Sequence, residues 1–339
     1  MGSRSEHTYH PAWWVPGGHA QTLWAKFFRR HPPLPARRER WPTPDGDFLD
    51  IYRTDADRRA PRLILLHGLE GTVRSHYVGG FFREALRRRW GADLLIFRGC
   101  GDEPNTAPRF YHSGETTDLA LVVDRIHDEY PAAPLVLAGV SLGGNVLLKY
   151  LGEVGDSVAD YIAAAAAISV PFDLERGARF IGRGFFKIYD RHFLRSLRRK
   201  ALDKLVRHPN LFDRRALMRA ENIYDFDDAV TAPVHGFASA HDYYNRSSSI
   251  RFLDRISVPA LLLSAIDDPF LPAEVLDEVR RVGGSNPALS FEFTSHGGHV
   301  GFVGGTVPWR PVYYAERRVC EFLGSRLANF HLNPLPSLP

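Results

Sequence analysis

The chain has 339 residues, of which 44% are apolar, with 43 basic against 39 acidic side chains and a formal net charge of +4. That length suits one large domain with an insertion, or two domains, and the composition excludes disordered and collagen-like chains. Its two cysteines, Cys100 and Cys320, form no metal spacing and no disulfide framework, which points to a reducing, cytoplasmic setting.

No unbroken apolar run approaches the roughly 18 residues of a spanning helix. The stretch "YIAAAAAISV" is about half that length and reads as a buried strand. The opening "MGSRSEHTYHP" lacks the apolar core of a signal peptide. The basic surplus is nearly all arginine. Its densest run, "RHFLRSLRRKALDKLVRH" (191–208), reads first as a solvated helix face and second as a contact for a membrane surface or an anionic ligand. No zinc-finger or RNP-like pattern supports a nucleic-acid role.

In chain order, residues 37–53 read as two short strands joined at Asp45-Gly46, a hairpin signal. "RLILLHG" (62–68) is a compact apolar strand, and 76–90 has helical periodicity. "ADLLIFRG" (92–99) is a strand, 114–130 a helix, "PLVLAG" (134–139) a strand and 144–152 a helix. "YIAAAAAISV" (161–170) is a further strand. Strand and helix alternate, and the strands are continuously apolar, which predicts an α/β fold with a mostly parallel sheet covered on both faces.

The rhythm breaks over 172–250, where helical, basic and aromatic segments predict a lid inserted in the core. It resumes with a strand at 259–267, a helix at about 272–281, a strand at 288–295 and a closing helix at 311–327. The expected organisation is an N-terminal extension (1–36) packed on the body, a core of 37–171 and 251–330, the 172–250 lid, and a tail of 331–339.

The chemistry centres on Gly139-Val140-Ser141-Leu142-Gly143, a G-x-S-x-G with a strand before it and a helix after it. Such a turn is too tight for side chains beside the nucleophile, and it lifts the serine oxygen above the sheet. A plain βα turn and a phosphate loop are the rival readings; for the latter the lysine of a P-loop is missing and so is G-x-G-x-x-G. A serine needs a general base, and the base an orienting acid, in the chain order Ser, Asp or Glu, His. "ALLLSAIDDPFLP" supplies Asp267 or Asp268, and Asp268 is preferred because Pro269 biases it towards an extended turn. "FEFTSHGGHVGF" supplies His296 or His299, and His299 is preferred because Gly297-Gly298 gives its loop room to swing. The oxyanion hole is expected from the backbone N–H groups of Leu142 and of Leu69, the latter after His67-Gly68. His67, His76 and His112 lack metal spacing, so neither metal nor cofactor is expected. His127 and His241 read as packing or surface residues.

"LHGLEG", "FRGCGDEPN", "YHSGETTD", "GVSLGGN", "DDPF" and "HGGHVGF" together resemble the YheT-like branch of the α/β-hydrolase superfamily, also called the AB hydrolase 4 family. Asp227, "GF" at 236–237, "DYY" at 242–244, Ser248, Ile256 and Pro259 fit a longer signature of that branch. The likeness covers about residues 11–325. The resemblance implies an α/β-hydrolase fold and a carboxylic-ester hydrolase with a Ser-Asp-His charge relay, which motif by motif falls on Ser141, Asp268 and His299. It also implies a small-molecule or lipid-like ester as substrate, since eukaryotic relatives act on medium-chain acyl esters, monoacylglycerols or phospholipids and yeast members make ethyl esters.

Several expectations are finer. The enzyme acts on short- to medium-chain acyl esters, with acyl transfer to an alcohol or a non-catalytic binding role as the alternatives. The basic lid makes peripheral membrane contact. Phe180, Phe185, Phe186 and Phe193 face an acyl chain or pack the lid on the body. Arg98 braces its loop through a carboxylate, Ser113 caps the helix that follows it, Cys100 has no base to activate it, and Trp13, Trp14 and Trp24 pack.

Overall fold

A computed structural model describes residues 8–29, 33–182 and 187–330. Phe185, Phe186 and the ends of the two terminal segments lie outside the described residues.

The hairpin read at Asp45-Gly46 is β1 (Arg37–Pro42) and β2 (Phe48–Arg53), with Gly46 at φ 76 in the turn. Then follow β3 (Arg62–Leu66), β4 (Gly91–Ile96), β5 (Leu135–Val140), β6 (Ile162–Ile168), β7 (Ala260–Ala265) and β8 (Leu289–Thr294). They form one sheet in the order β1-β2-β4-β3-β5-β6-β7-β8. β2 runs antiparallel to β1 and β4, and every other pair is parallel. Each residue of β3 to β7 is buried, which is why these strands read as unbroken apolar runs. The helices that cover them are α2 (Val78–Arg87), α3 (Thr117–Glu129) and α4 (Leu142–Val154) before β6, and α11 (Ala273–Gly283) and α12 (Tyr314–Leu327) after β7. α1 (Gly17–Phe28) precedes the sheet.

Charges inside this body are paired. Asp93 accepts from Arg62 Nε and from Arg53 Nε, both at 2.7 Å, and all three side chains are at most 1% exposed. Tyr130 covers the Arg62 guanidinium at 4.2 Å. Removing one member would strand a buried charge.

Between β6 and β7 the described chain is helical: α5 (Leu174–Ile181), α6 (Lys187–Arg207), α7 (Arg214–Arg219), α8 (Ile223–Phe226), α9 (Ala232–Val234) and α10 (Ala240–Ser247), with a π-helical turn at Asp227–Thr231. It buries two small clusters of its own, one around Leu194, Leu205, Phe212 and Phe226, the other around Leu174, Tyr243 and Tyr244. The basic run becomes α6, with Arg191, Arg195 and Arg199 exposed and Lys204 buried. Lys204 donates to the carbonyls of Asn105 and Ala107 and to Asn105 Oδ1 at 2.8–2.9 Å, and burial pushes its pKa down to about 8.

Two local expectations are corrected, and one element is added. The N-cap position of α3 falls on Thr116, whose side chain makes no capping hydrogen bond, and Ser113 lies three residues before it. The Ser113 N–H donates to Tyr243 Oη and its carbonyl accepts from Asn145, which ties it to α10 and α4. Trp13 does not pack: it is 77% exposed, with its indole N–H on Thr306 O at 3.0 Å. A two-stranded ribbon, β9 (Val303–Gly304) and β10 (Val312–Tyr313), follows β8, and its two-residue strands are too short to alternate visibly.

Candidate active site

Ser141 leaves β5 at φ 54 and ψ −121, and α4 starts at the next residue. A non-glycine residue holds this left-handed turn only when its surroundings over-determine it. Here they do: a Cβ at Gly139 would lie 2.4 Å from Gly143 O, and one at Gly143 would lie 2.5 Å from His67 O. Glycine is therefore required on both sides, and the serine side chain is pushed into the open.

His299 Nε2 lies 2.9 Å from Ser141 Oγ, and its Nδ1 lies 2.9 and 3.1 Å from the two oxygens of Asp268. An imidazole protonated at Nδ1 donates to Asp268 and leaves Nε2 to accept from the serine hydroxyl. His299 and Asp268 side chains are 10% and 5% exposed. Asp268 Oδ1 also accepts the Phe270 N–H at 2.8 Å, and the Phe270 ring stacks on the imidazole at 4.0 Å. These groups come from three loops at the carboxyl ends of β5, β7 and β8, where an open parallel sheet gathers its functional residues.

The neighbouring candidates fall elsewhere. Asp267 accepts the Gly298 N–H at 2.9 Å and faces His296 Nδ1 at 3.2 Å, so it braces the histidine loop from the far side. His296 is largely exposed.

The loop after β3 runs against the serine. A Cβ on Gly68 would sit 3.1 Å from Ser141 Cβ. His67 is fully buried, burial pushes its pKa down to about 4, and it is therefore neutral. Its Nδ1–H donates to Gly68 O at 2.7 Å while Nε2 accepts from Phe97 N–H at 3.1 Å. Tyr77 Oη accepts the Gly68 N–H at 2.8 Å. Leu69 follows this pinned turn, and both Leu69 and Leu142 line the cavity that holds Ser141 and His299. That cavity measures about 890 Å³ and reaches between the sheet and the helical segment, where Leu174, Ile181, Phe193 and Leu197 supply apolar wall. Phe180 is not among its lining residues.

Some groups at the site carry no local sequence signal. Thr22 Oγ1 accepts the His299 N–H at 2.8 Å and donates to Gly18 O at 2.7 Å. Ser169 Oγ accepts the Val300 N–H at 3.0 Å. α1 lies in backbone contact with the acid and histidine loops: a Cβ on Gly18 would meet Asp267 O at 1.8 Å, and one on Gly298 would meet Gly18 O at 2.2 Å.

Other singled-out residues have structural partners. Arg98 grips Asp118 with two hydrogen bonds of 2.7–2.8 Å and also bonds Asp45 and Asp47, tying the hairpin to the loop after β4. Burial pushes the Cys100 thiol up to about 11. His112 packs against His235 at 4.4 Å, and burial keeps both rings neutral by lowering their pKa values. His127 stacks on Tyr161, and exposed His241 meets Glu175. Trp14 packs edge-on against Trp24 at 4.7 Å. Among the described residues no group of three or more His, Cys, Asp or Glu could hold a metal ion. No described helix is long and apolar enough to cross a membrane.

Comparison with known proteins agrees with this fold. The profile of the alpha/beta hydrolase fold matches residues 61–306. A protein named "Putative esterase YheT" from Escherichia coli (strain K12) is 37% identical over 314 residues, covering 91% of each chain. The chain belongs to the α/β-hydrolase family, in its YheT-like branch. With that membership comes its enzyme class, a serine-type ester hydrolase. Phospholipase ABHD3 of Mus musculus is 32% identical over 339 residues, covering 96% of this chain and 80% of its own. The monoacylglycerol lipase of Saccharomyces cerevisiae is 32% identical over 284 residues, covering 81% of this chain and 61% of its own. Among solved structures, the Pyrococcus furiosus esterase Pf2001 superposes with a TM-score of 0.57 at 17% identity, over 88% of this chain and 92% of that one, a likeness of fold.

Proposed function

We propose that the α/β-hydrolase body hydrolyses carboxylic esters of short- to medium-chain acyl groups through an acyl-enzyme on Ser141. The observation that carries this is the unbroken relay from Ser141 Oγ to His299 Nε2 and from His299 Nδ1 to Asp268, each link at 2.9 Å. His299 takes the serine proton as Oγ bonds to the ester carbonyl carbon. The carbonyl oxygen becomes an oxyanion facing the N–H groups of Leu69 and Leu142. The tetrahedral adduct collapses, the C–O bond to the alcohol breaks, and the alcohol leaves with the proton from His299. Water then attacks the acyl-enzyme with His299 as base, which frees the acid and restores Ser141. Asp268 holds the imidazole in the right tautomer and stabilises its cation.

In this reading residues 37–171 and 251–330 are the catalytic core and 172–250 the lid. The lid's cavity wall of Leu174, Ile181, Phe193 and Leu197 receives the acyl chain. Phe27 of α1, which is 67% exposed, and the lid's exposed Arg199 both line the cavity. α1 and α6 touch here through Lys26 and His192, at 3.1 Å. An aromatic and cationic rim of this kind suits peripheral contact with an anionic lipid surface. The expected compartment is the cytoplasm.

The test is a panel of p-nitrophenyl esters from acetate to palmitate, with and without phosphatidylglycerol vesicles, in buffer or with added ethanol or glycerol. Hydrolysis strongest on the shorter half of the panel, with vesicles helping the longer esters, is the expected result. A folded enzyme inert on every ester would contradict it. An ethyl or glyceryl ester as the main product would replace hydrolysis by acyl transfer.

A further inference from the structure

Glu70 follows the pinned Gly68-Leu69 turn, and the relay makes no use of it. Its backbone is left-handed, at φ 55, a region that disfavours a residue with its side chain. Four polar contacts hold it there. Its N–H donates to Tyr111 Oη at 2.8 Å, and Tyr111 Oη donates back to Glu70 Oε1 at 2.9 Å. From α6, Lys200 Nζ donates to Oε1 at 2.7 Å and Ser196 Oγ donates to Oε2. The pair is mostly withdrawn from water, with Glu70 10% and Lys200 26% exposed at the side chain. Strained residues persist where their surroundings over-determine them, and such strain collects at functional sites.

The placement gives the strain a purpose. The turn that ends in Leu69 is clamped on one side by the body, through His67 and Tyr77 on Gly68. On the other side it is clamped by Glu70, and half of that clamp belongs to α6 of the helical segment. Gly71 completes the turn: its N–H donates to Gly68 O at 2.9 Å, and a Cβ there would strike His67 Nδ1 at 2.6 Å. The backbone between residues 68 and 71 therefore has little freedom while α6 is seated, and keeps only the Tyr111 half of its Glu70 anchor when α6 moves away.

We propose that Glu70 is a positioning residue through which Lys200 and Ser196 of α6 hold the Leu69 N–H on the oxyanion, so that the hole is complete only when the helical segment is closed on the body. This rests on the oxyanion role given to Leu69 above. Glu70 lines the cavity that holds Ser141 but has no hydrogen bond to the relay; it acts by fixing the turn. Lid closure and catalytic competence thus become one event, because the ion pair that seats α6 also orders the donor.

The decisive variant is Lys200→Met with Ser196→Ala, which leaves Tyr111 in place. Removing a whole oxyanion donor costs about 10²- to 10³-fold in kcat, and a loosened donor should cost roughly 10- to 100-fold. The expected result on a short p-nitrophenyl ester is that loss in kcat with KM changed by less than about threefold, since the interaction lost is one made in the transition state. Affinity for a trifluoromethyl ketone, whose adduct carries the same oxyanion, should fall in step with kcat/KM, and Lys200→Arg should recover most of the activity. If the double variant does not fold, Glu70→Gln, which keeps the Tyr111 bonds and loses the charge pair, takes its place with the same expected split. Wild-type kcat in these variants, a rise in KM alone, or unchanged ketone affinity would overturn the proposal. Loss of turnover in Ser141→Ala alongside any of those results would leave the esterase reading standing, so the two failures are distinguishable.

Discussion

The sheet and the helical segment between β6 and β7 bury their residues in different ways. The sheet sits in one continuous apolar core and seals its charges inside, as in the Arg53–Asp93–Arg62 cluster. The segment has two small clusters of its own and grips the body through polar side chains: Lys204 on the 105–107 carbonyls, Lys200 and Ser196 on Glu70, and Tyr243 on Ser113 N–H. The relay residues all stand on loops of the body, whereas much of the cavity's apolar wall comes from the segment. A rigid frame fixes atoms to fractions of an ångström, and a weakly attached cover can vary and move. Rate should therefore be lost mainly through the body, with the α6 contacts to Glu70 as the exception, and choice of substrate should be changed through the segment's apolar wall.

The largest effect that would break this division is expected at the base. His299→Ala should lower kcat by about 10⁴- to 10⁶-fold with the melting temperature unchanged, measured on a p-nitrophenyl ester and by calorimetry. Asp268→Asn should cost about 10³- to 10⁴-fold, since the amide holds the wrong tautomer. Asp267→Asn should cost less than about tenfold, because that carboxylate only braces the loop. Equal losses in the two would assign the acid wrongly.

Next comes the frame itself. Asp93→Asn takes from buried Arg62 its carboxylate partner and leaves Arg53 with only Glu39 and Glu129, and should lower the unfolding free energy by about 3–5 kcal/mol in urea titrations. Lys200→Met, on the segment's polar grip, should lower it far less.

The segment has its own pH signature. Asp227 is fully buried, and burial pushes its carboxyl up to about 6 despite hydrogen bonds from Thr231 and from Tyr244, the latter at 2.6 Å. A raised acid binds its proton more tightly in the folded than in the unfolded state. Its contribution is then intact below about pH 4, shrinks between pH 4 and 6, and is gone above, a swing of about 3 kcal/mol. Asp227→Asn should remove that fall from the pH dependence of urea unfolding; a slope identical to wild type would contradict it.

The smallest expected effect sharpens the contrast most. Phe193→Ala should change the relative kcat/KM of long and short esters by about 10-fold, with the best substrate turned over at close to the wild-type kcat. A uniform loss on all esters would place Phe193 with the chemistry instead.

The body was legible in the sequence because its elements are long and periodic. β5, the glycine turn at Ser141 and α4 follow one another without interruption; order along the chain narrowed the acid to Asp267 or Asp268 and the base to His296 or His299, and Pro269, Gly297-Gly298 and the family resemblance favoured Asp268 and His299. What escaped notice depends on distance or on short pieces. Thr22 meets His299 across 277 residues, and nothing near either one announces the other. Ser113 has the look of a cap, but Tyr243 takes its N–H from a helix 130 residues away. The left-handed turn at Glu70 is unmarked because the residue there is not glycine, and Lys200 was only one more cation in a basic run until α6 placed it on the carboxylate. Local pattern selects the groups that do chemistry on a frame; tertiary contact selects the groups that hold them.

The central claim is that Ser141 is the nucleophile of a relay whose reacting groups all stand on the body. Incubation with a fluorophosphonate, followed by intact-mass and peptide analysis, tests it most directly. The account predicts a single adduct, on Ser141, that is abolished in Ser141→Ala and slowed in His299→Ala. A stoichiometric adduct on any other residue, or one that persists in Ser141→Ala, would contradict it.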